Sequence, residues 1–455
     1  MLHDSRVMDL GSRPDELTYK IYALCPLGFF LNKPWIASGA RDEVALRAVP
    51  LLAGIAAVGL LGWLSMAEFG PLAGATATLL LAFNPYHVEM SQYGRYYALV
   101  FLLANLSLLL LGRALRTHSL LTLAMSQAAL LLAVLSHLPA AFLWPAQLLF
   151  LLVHWHGSAG NDRQRRFLRR ALAVLLVMHL AVLIYLVPAV GLWRDATAQG
   201  ARSPRGLLAG WVAGAGIGVA ALNAAGIVYL LIVRQRRVWL PLAAQLVPCG
   251  IFLALAVMDK TVMPRYGGYV YFPMFLVCGL VIDRVCGGWE GVTTRPVAAV
   301  SGGLLVLLAL APSLPSLASH HIDGNRHNFP ACVALMRPYV QEGGLVFSSW
   351  PHVFAYHAER ILDVPVLRRD AAAEDLKARV AEGNLVVVPA TGGPPGTDPR
   401  LPYVHENSLW AVRKVERSHD DSPRLARHQA VPAGWEGLAK FRVELSAPRY
   451  DHRRN

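Results

Sequence analysis

Residues 84 to 116, NPYHVEMSQYGRYYALVFLLANLSLLLLGRALR, run without a break from a polar, aromatic loop into a long apolar helix. Arg95 stands between Gly94 and the pair Tyr96 and Tyr97, where the chain would leave water for hydrocarbon. A guanidinium at that depth is costly unless an anion meets it, so one reading has Arg95 hold a charge at the membrane face. The other makes it an interfacial anchor, with the tyrosines in an aromatic belt and the arginine reaching back to the headgroups. Both readings require a helix that crosses a bilayer.

The composition of the whole chain agrees with a polytopic α-helical membrane protein. Apolar residues make up 55% of the 455 positions and charged ones 16%, too apolar a balance for a soluble protein of this length. A net charge of +13 would suggest nucleic acid in a soluble protein. Here the arginines cluster between hydrophobic segments, which is a topology signal and argues against nucleic-acid binding. The five cysteines, Cys25, Cys249, Cys278, Cys286 and Cys332, form no CxxC and no closely spaced framework, so neither disulfides nor a zinc site is expected.

Working outward from Arg95, apolar segments occupy 46–66, 71–84, 97–112, 119–136, 139–155, 168–190, 207–233, 238–257, 268–285 and 296–312, about ten helices. The loops between them alternate in charge. One set carries twelve arginines: Arg113, Arg116, Arg163, Arg165, Arg166, Arg169, Arg170, Arg234, Arg236, Arg237, Arg284 and Arg295. The other carries six cations: Arg95, Arg194, Arg202, Arg205, Lys260 and Arg265. The excess of positive charge places the first set in the cytoplasm and the second outside.

Before residue 46 there is no hydrophobic leader. Ser12, Pro14 and Asp15 resemble a helix start, with Leu17, Ile21, Leu24 and Gly28 on one face and a break at Pro34. This predicts an amphipathic segment at the membrane surface, or else a re-entrant loop. Ten crossings would leave both 1–45 and everything beyond 312 outside. A polar N-terminus is hard to translocate without a preceding helix, so the sequence is expected to begin after a lost first transmembrane helix. The rival expectation is that a short segment such as 71–84 does not cross.

The expected domains are a first outer loop over 1–45, a helical bundle over 46–312 and a soluble periplasmic α/β domain over 313–455. In the last, NFPACVALMRPYVQ and EDLKARVAEG read as helices, and LVFSSW, NLVVVPA, SLWAVRKV and FRVEL as strands. The loop TGGPPGTDP is a turn former and not a phosphate cradle, and the final PRYDHRRN reads as a tail. His320, His321, His327 and Asp323 invite a metal reading, but their linker position makes them surface residues. His87 with Glu89, and His137 before Pro139, fall at outer helix ends, either as cavity-lining groups or as interface histidines.

Three stretches, PLGFFLNKPWIASGARDEVALRAVP, AFNPYHVEMSQYGRYYALVFLLANLSLLLLGRAL and MPRYGGYVYFPMFLVCGL, resemble the GT-C membrane glycosyltransferases. The nearest group is that of protein O-mannosyltransferases, lipid A aminoarabinose transferases and Rgt-type glycosyltransferases. The matching features are Pro26-Leu27 before Trp35, then Glu43 with Leu46 and Arg47. Arg95-Tyr96-Tyr97 then enters a helix, and Arg265-Tyr266 precedes a helix containing Phe272-Pro273. The resemblance implies transfer of a sugar, with inversion, from a polyprenyl-phosphate donor to an acceptor hydroxyl of a lipid, glycan or protein. The reaction would occur at the outer face of the inner membrane, with an acidic residue of the first outer loop as base. Neither a cofactor nor a metal is implied.

For that base, position favours Asp4, although Ser5 follows it where the family has Glu; the literal pair Asp15-Glu16 lies closer to Pro26. Asp15 and Glu16 have an alternative role in a helix's first turn, where acids complement the dipole. If neither carboxylate reaches the site, the chain is an inactive relative. The candidate ligands of the donor phosphate are Arg95, Lys260, Arg265 and Tyr266, since cations gathered near one another need an anion between them. The alternative pairs Lys260 and Arg265 with Asp259 at the interface. Tyr266, Tyr269 and Tyr271 would pack a sugar or prenyl chain, or form a belt. A lipid-linked sugar or polysaccharide transporter and a catalytically inactive scaffold are the competing classes; no repeated halves favour the transporter.

Overall fold

The computed structural model describes residues 26–38, 42–93, 95–157, 162–196, 203–233, 238–258, 262–287 and 295–322, and strands at 345–346, 386–389, 412–417 and 441–445. The chain divides into two compact units, Met1–Ala318 and Ser319–Asn455.

The first unit is helical. Helix α1, Pro26–Ala37, opens on a proline at the position where no backbone donor is needed. It runs through Pro34, where the sequence predicts a break. A proline so near the end removes a single donor, and the Ser38 N–H closes the last turn onto the Pro34 carbonyl at 3.0 Å. The segment predicted to start at Ser12 lies outside the described residues.

Helix α2, Asp42–Ala56, continues through a π-helical turn, Ala57–Leu61, into α3, Gly62–Phe69. Gly70, at φ 106°, reverses the chain into α4, Pro71–Ala82. A side chain at Gly74 would strike the Met66 backbone, so these two helices touch as nearly bare rods. After α5, Pro85–Gln92, helix α6, Tyr97–Thr117, has 21 residues, about 32 Å at the α-helical rise. It stops at His118 in the left-handed region, φ 53°. The Ser119 hydroxyl then accepts from the Thr122 N–H and starts α7, Leu120–Ser136.

A 3-10 turn, Leu138–Phe142, leads into α8, Leu143–Gly157, followed by α9, Asp162–Ala196. Next come α10, Pro204–Ala215, α11, Ile217–Ile232, and α12, Trp239–Val257. A second 3-10 turn, Pro264–Val270, feeds α13, Tyr271–Gly287, followed by α14, Arg295–Leu310, and α15, Leu314–Ile322, within which the first unit ends at Ala318.

All ten predicted apolar segments are helical, but among the described residues seven spans are long and apolar enough to cross a membrane. An eighth arises if α10 and α11, bent by 103°, count as one. The difference lies in α4 and α7, with 12 and 17 residues. At about 18 Å, α4 alone does not match a hydrocarbon core of about 30 Å. It nonetheless leads back to the opposite end of the bundle: it starts beside α3, whose Glu68 meets Arg116 at the C-terminal end of α6, and finishes at Asn84, close before the N-terminal end of α6.

Burial follows the solvent inversion expected in lipid. Leu176, Val177, Leu180 and Ile184 of α9 are 60–70% exposed, whereas α13 is buried on nearly every side. The interior holds a polar lock in place of a charge: the Gln127 amide donates to Gln147 at 2.8 Å, Gln147 donates to the Ser107 hydroxyl at 2.8 Å, and Ser126 donates to the Ser107 carbonyl at 2.7 Å. In hydrocarbon, bonds of this kind hold helices together where the hydrophobic effect does not, and they join α6, α7 and α8.

The second unit contributes a four-stranded sheet, β1 Leu345–Val346, β2 Val386–Pro389, β3 Val412–Arg417 and β4 Phe441–Leu445, in that order. The first pair is parallel and the others antiparallel. Strands β1, β2 and β4 fall within stretches read as strands from sequence, and β3 overlaps SLWAVRKV but runs on to Arg417. The helices read at NFPACVALMRPYVQ and EDLKARVAEG, and the loop TGGPPGTDP, lie outside the described residues.

Candidate functional site

The loop cations sort to two ends of the bundle. At one end Glu68, its side chain 6% exposed, meets Arg116 at 2.6 Å and Arg113 at 3.7 Å. The His118 ring lies 5.4 Å from that of Phe167, which brings in the arginine-rich start of α9. Arg95 and Arg265 are at the other end, where α1 also packs: a side chain at Gly28 would strike the Tyr96 ring.

At this second end the chain gathers a cationic aromatic cluster. Asn84 caps α5, accepting from the His87 N–H at 2.9 Å, while its amide donates to the Gly214 carbonyl at 2.9 Å and so ties α5 to α10. Tyr86 on the same helix donates to the Arg265 carbonyl at 3.0 Å. The Trp211 indole of α10 donates to the neighbouring Pro264 carbonyl at 3.1 Å, and the Tyr269 hydroxyl to the Pro139 carbonyl at 2.9 Å. The loop that carries Arg265 is therefore clamped from α5, α10 and the 3-10 turn before α8.

On this frame Arg265 is half-buried, its guanidinium carbon 6.0 Å from the ring centres of both Tyr97 and Tyr266. His137 fills the space between those rings, 5.3 Å from Tyr97 and 5.1 Å from Tyr266. Tyr93 extends the wall, 6.2 Å from Tyr97. Arg95 is exposed, and its charge reaches both His137 and Tyr97. Burial, followed by the charges of Arg265 and Arg95, holds the His137 imidazole down at about 3, so it is neutral. Glu89 on α5 is half-buried and acts on Tyr86, whose hydroxyl is held well above its ordinary value, chiefly by burial.

Of the residues singled out from sequence, the structure brings together Arg95, Arg265 and Tyr266. Lys260 and Asp259, and the carboxylates Asp4, Asp15 and Glu16, lie outside the described residues. Tyr269 and Tyr271 are corrected: at 2% and 0% exposure they are core residues and do not face a ligand. In a 3-10 turn residues three apart stack along the axis, which sets Tyr269 one turn deeper than Tyr266. His87 is buried against Phe101, 5.3 Å between rings, as a core residue and not an interface histidine. Sequence reasoning missed Tyr86, Tyr93 and Trp211. Tyr93 and Tyr97 meet across the break between α5 and α6, Tyr93 being the extended residue that ends one helix and Tyr97 the first residue of the next, a contact that no helical spacing announces. Among the described residues no group of His, Cys, Asp or Glu could hold a metal ion.

These features define a polytopic membrane protein whose loops assemble a cationic, aromatic rim at one face. The fold is that of the GT-C glycosyltransferases. The chain is similar to ArnT from Cupriavidus metallidurans in its apo state, with a TM-score of 0.51 and 14% identity, over 81% of this chain and 83% of that one. It is also similar to the archaeal oligosaccharyltransferase AglB from Archaeoglobus fulgidus, solved with an inhibitory peptide and a dolichol-phosphate. There the TM-score is 0.51 and the identity 13%, over 81% of this chain and 61% of AglB. No protein-family model and no curated protein matches the chain.

Proposed function

We propose that this chain is an inner-membrane glycosyltransferase that moves a sugar, with inversion, from a polyprenyl-phosphate donor to an acceptor hydroxyl at the outer face. The observation that carries the reading is the convergence of Arg95 and Arg265 on one aromatic rim at the sparsely charged, hence outer, end of the bundle. Two guanidinium groups near one another favour an anion between them, and the planar guanidinium suits phosphate. AglB, of the same fold, binds a dolichol-phosphate.

In this reading Arg95 and Arg265, with Lys260 and the Tyr266 hydroxyl, hold the donor phosphate and stabilise the charge it gains as the glycosidic bond breaks. The walls formed by Tyr93, Tyr97 and Tyr266 pack the sugar or the first prenyl units. A first-loop carboxylate, Asp4 by position and otherwise Asp15 or Glu16, takes the proton of the acceptor hydroxyl. The sugar arrives already activated on its phosphate, so neither nucleotide nor cofactor is needed. The acceptor is a lipid, glycan or protein. Residues 313–455 form the periplasmic domain.

The test is transfer of radiolabel from a polyprenyl-phosphate sugar in membranes containing the full chain. Transfer abolished by Arg265→Ala and by Asp4→Asn supports the reading. Lipid-linked sugar carried across the bilayer with no new glycoside would replace it with transport.

A further inference from the structure

His137 is placed by backbone bonds and by its neighbours, and one of its ring nitrogens finds no hydrogen-bond partner among the described residues. Its N–H closes α7 onto the Ala133 carbonyl at 2.9 Å, and its own carbonyl accepts from the Ala140 N–H at 3.0 Å. Two residues on, the Pro139 carbonyl takes the Tyr269 hydroxyl. The histidine is thus fixed to the loop that presents Arg265. Its Nδ1 is buried without a hydrogen-bond partner among the described residues. A buried nitrogen left so is a standing cost, and in native proteins it calls for an explanation.

The groups facing the ring are Tyr97 from α6, Tyr266 and Arg265 from the loop before α13, and Arg95 from the loop before α6. Helix α1, which also packs on α7, carries Lys33, its ammonium over the Phe30 ring at 5.6 Å. Glu89 of α5 acts on Tyr86 and is not among the groups acting on His137. The described charges that act on His137 are therefore both cationic, and neither arginine can accept a hydrogen bond from it.

We propose that His137 is a third, proton-taking ligand of the phosphate site: its imidazole charges when a prenyl phosphate seats beside it, Arg95 and Arg265. This rests on the reading of the site given above. Before a phosphate binds, the two guanidinium groups oppose a third positive charge. A phosphate of about −1.5 to −2 reverses the sign of the local field, and a proton from solvent then gives His137 a charge-assisted bond to a phosphate oxygen. Binding is coupled to proton uptake, and by linkage lower pH favours binding until the free imidazole charges.

The experiment is isothermal calorimetry of the full chain in detergent with farnesyl phosphate at pH 7.5, repeated in buffers of different ionisation enthalpy. The wild type is expected to take up part of a proton, up to about one, per phosphate bound. His137→Gln should take up less, with affinity several-fold weaker at pH 6.5 and converging on wild type at pH 9. Equal proton counts in wild type and His137→Gln, with binding intact, overturn the role of His137 and leave the phosphate site standing. Absence of binding by the wild type overturns the site itself. If His137→Gln does not fold, the wild type decides: no net uptake refutes the proposal.

Discussion

Tyr86→Phe removes one oxygen and isolates the question of whether the loop's anchoring matters to the ligand. The hydroxyl donates to the Arg265 carbonyl at 3.0 Å, while the ring keeps its edge contact with Tyr271 at 4.8 Å. Phenylalanine retains that ring, so no cavity opens and the helix is undisturbed. The freed carbonyl belongs to a half-buried residue that water can reach, so the loss is about 1 kcal/mol. If all of it is felt by the ligand, the Kd for farnesyl phosphate rises about fivefold, since 1.4 kcal/mol is tenfold.

Arg265→Ala sets the scale for comparison. Hydrogen bonds to a charged group contribute about 1.5–3 kcal/mol, so its Kd should rise between about tenfold and 150-fold. Calorimetry on both variants, with hydrogen exchange read over 263–270, separates the effects: exchange should quicken in Tyr86→Phe, where the Arg265 carbonyl loses its anchor. An unchanged Kd in Tyr86→Phe beside a large loss in Arg265→Ala would show that the clamp does not tune the site. Equal losses would show that the Tyr86 hydroxyl itself meets the phosphate, and the clamp account would be abandoned.

Other expectations test the frame. Gly279→Val would press a side chain onto the Ala73 carbonyl of α4; overpacking against backbone costs about 1–3 kcal/mol, so its thermal midpoint in detergent should fall while that of Gly303→Val, which meets open space, holds. Gly268→Ala drives a methyl into the Tyr86 ring and should weaken farnesyl phosphate binding more than Tyr86→Phe does. Burial holds the His87 imidazole at about 4, below its unfolded value of about 6.5. The unfolded chain therefore binds the extra proton between those values, so stability rises with pH across that window and is lost as the pH is lowered, by up to about 1.4 kcal/mol per unit; His87→Leu should flatten a thermal-midpoint profile over pH 4–7, and an unchanged slope would refute the assignment. Cysteines replacing Arg95 and Arg116 should react with an impermeant maleimide from opposite faces of sealed vesicles, and labelling from one face would overturn the assignment of ends.

How far the sequence could be read depends on the range of each interaction. Helix α6 is legible because a rod in lipid must satisfy its own backbone and clothe itself in apolar side chains, and both demands are local. The division of Arg95 and Arg265 from Arg113 and Arg116 is legible for the same reason, since loop charge is read without knowing the fold. The bend inside 207–233 is different. Gly206, Gly210, Gly214, Gly216, Gly218 and Gly226 all stand in or beside that run, and only contact geometry picks out Gly216, at φ 89°, as the turning point.

The site shows the same limit. Arg95, Arg265 and Tyr266 were legible as cations and an aromatic at helix mouths, but the residues that aim them were not. Tyr86 acts on a carbonyl 179 positions away, and Trp211 on one 53 away; a backbone acceptor leaves no trace in the identity of the residue that owns it. His137 was visible as a histidine at a helix end, yet its meaning depends on two rings and two guanidinium groups contributed by loops remote in sequence. The chain therefore states its charges locally and their purpose only in three dimensions: an arginine that stands alone reads as a membrane anchor, whereas a second arginine, and an imidazole whose buried Nδ1 has no partner among the described residues, support the proposed phosphate site.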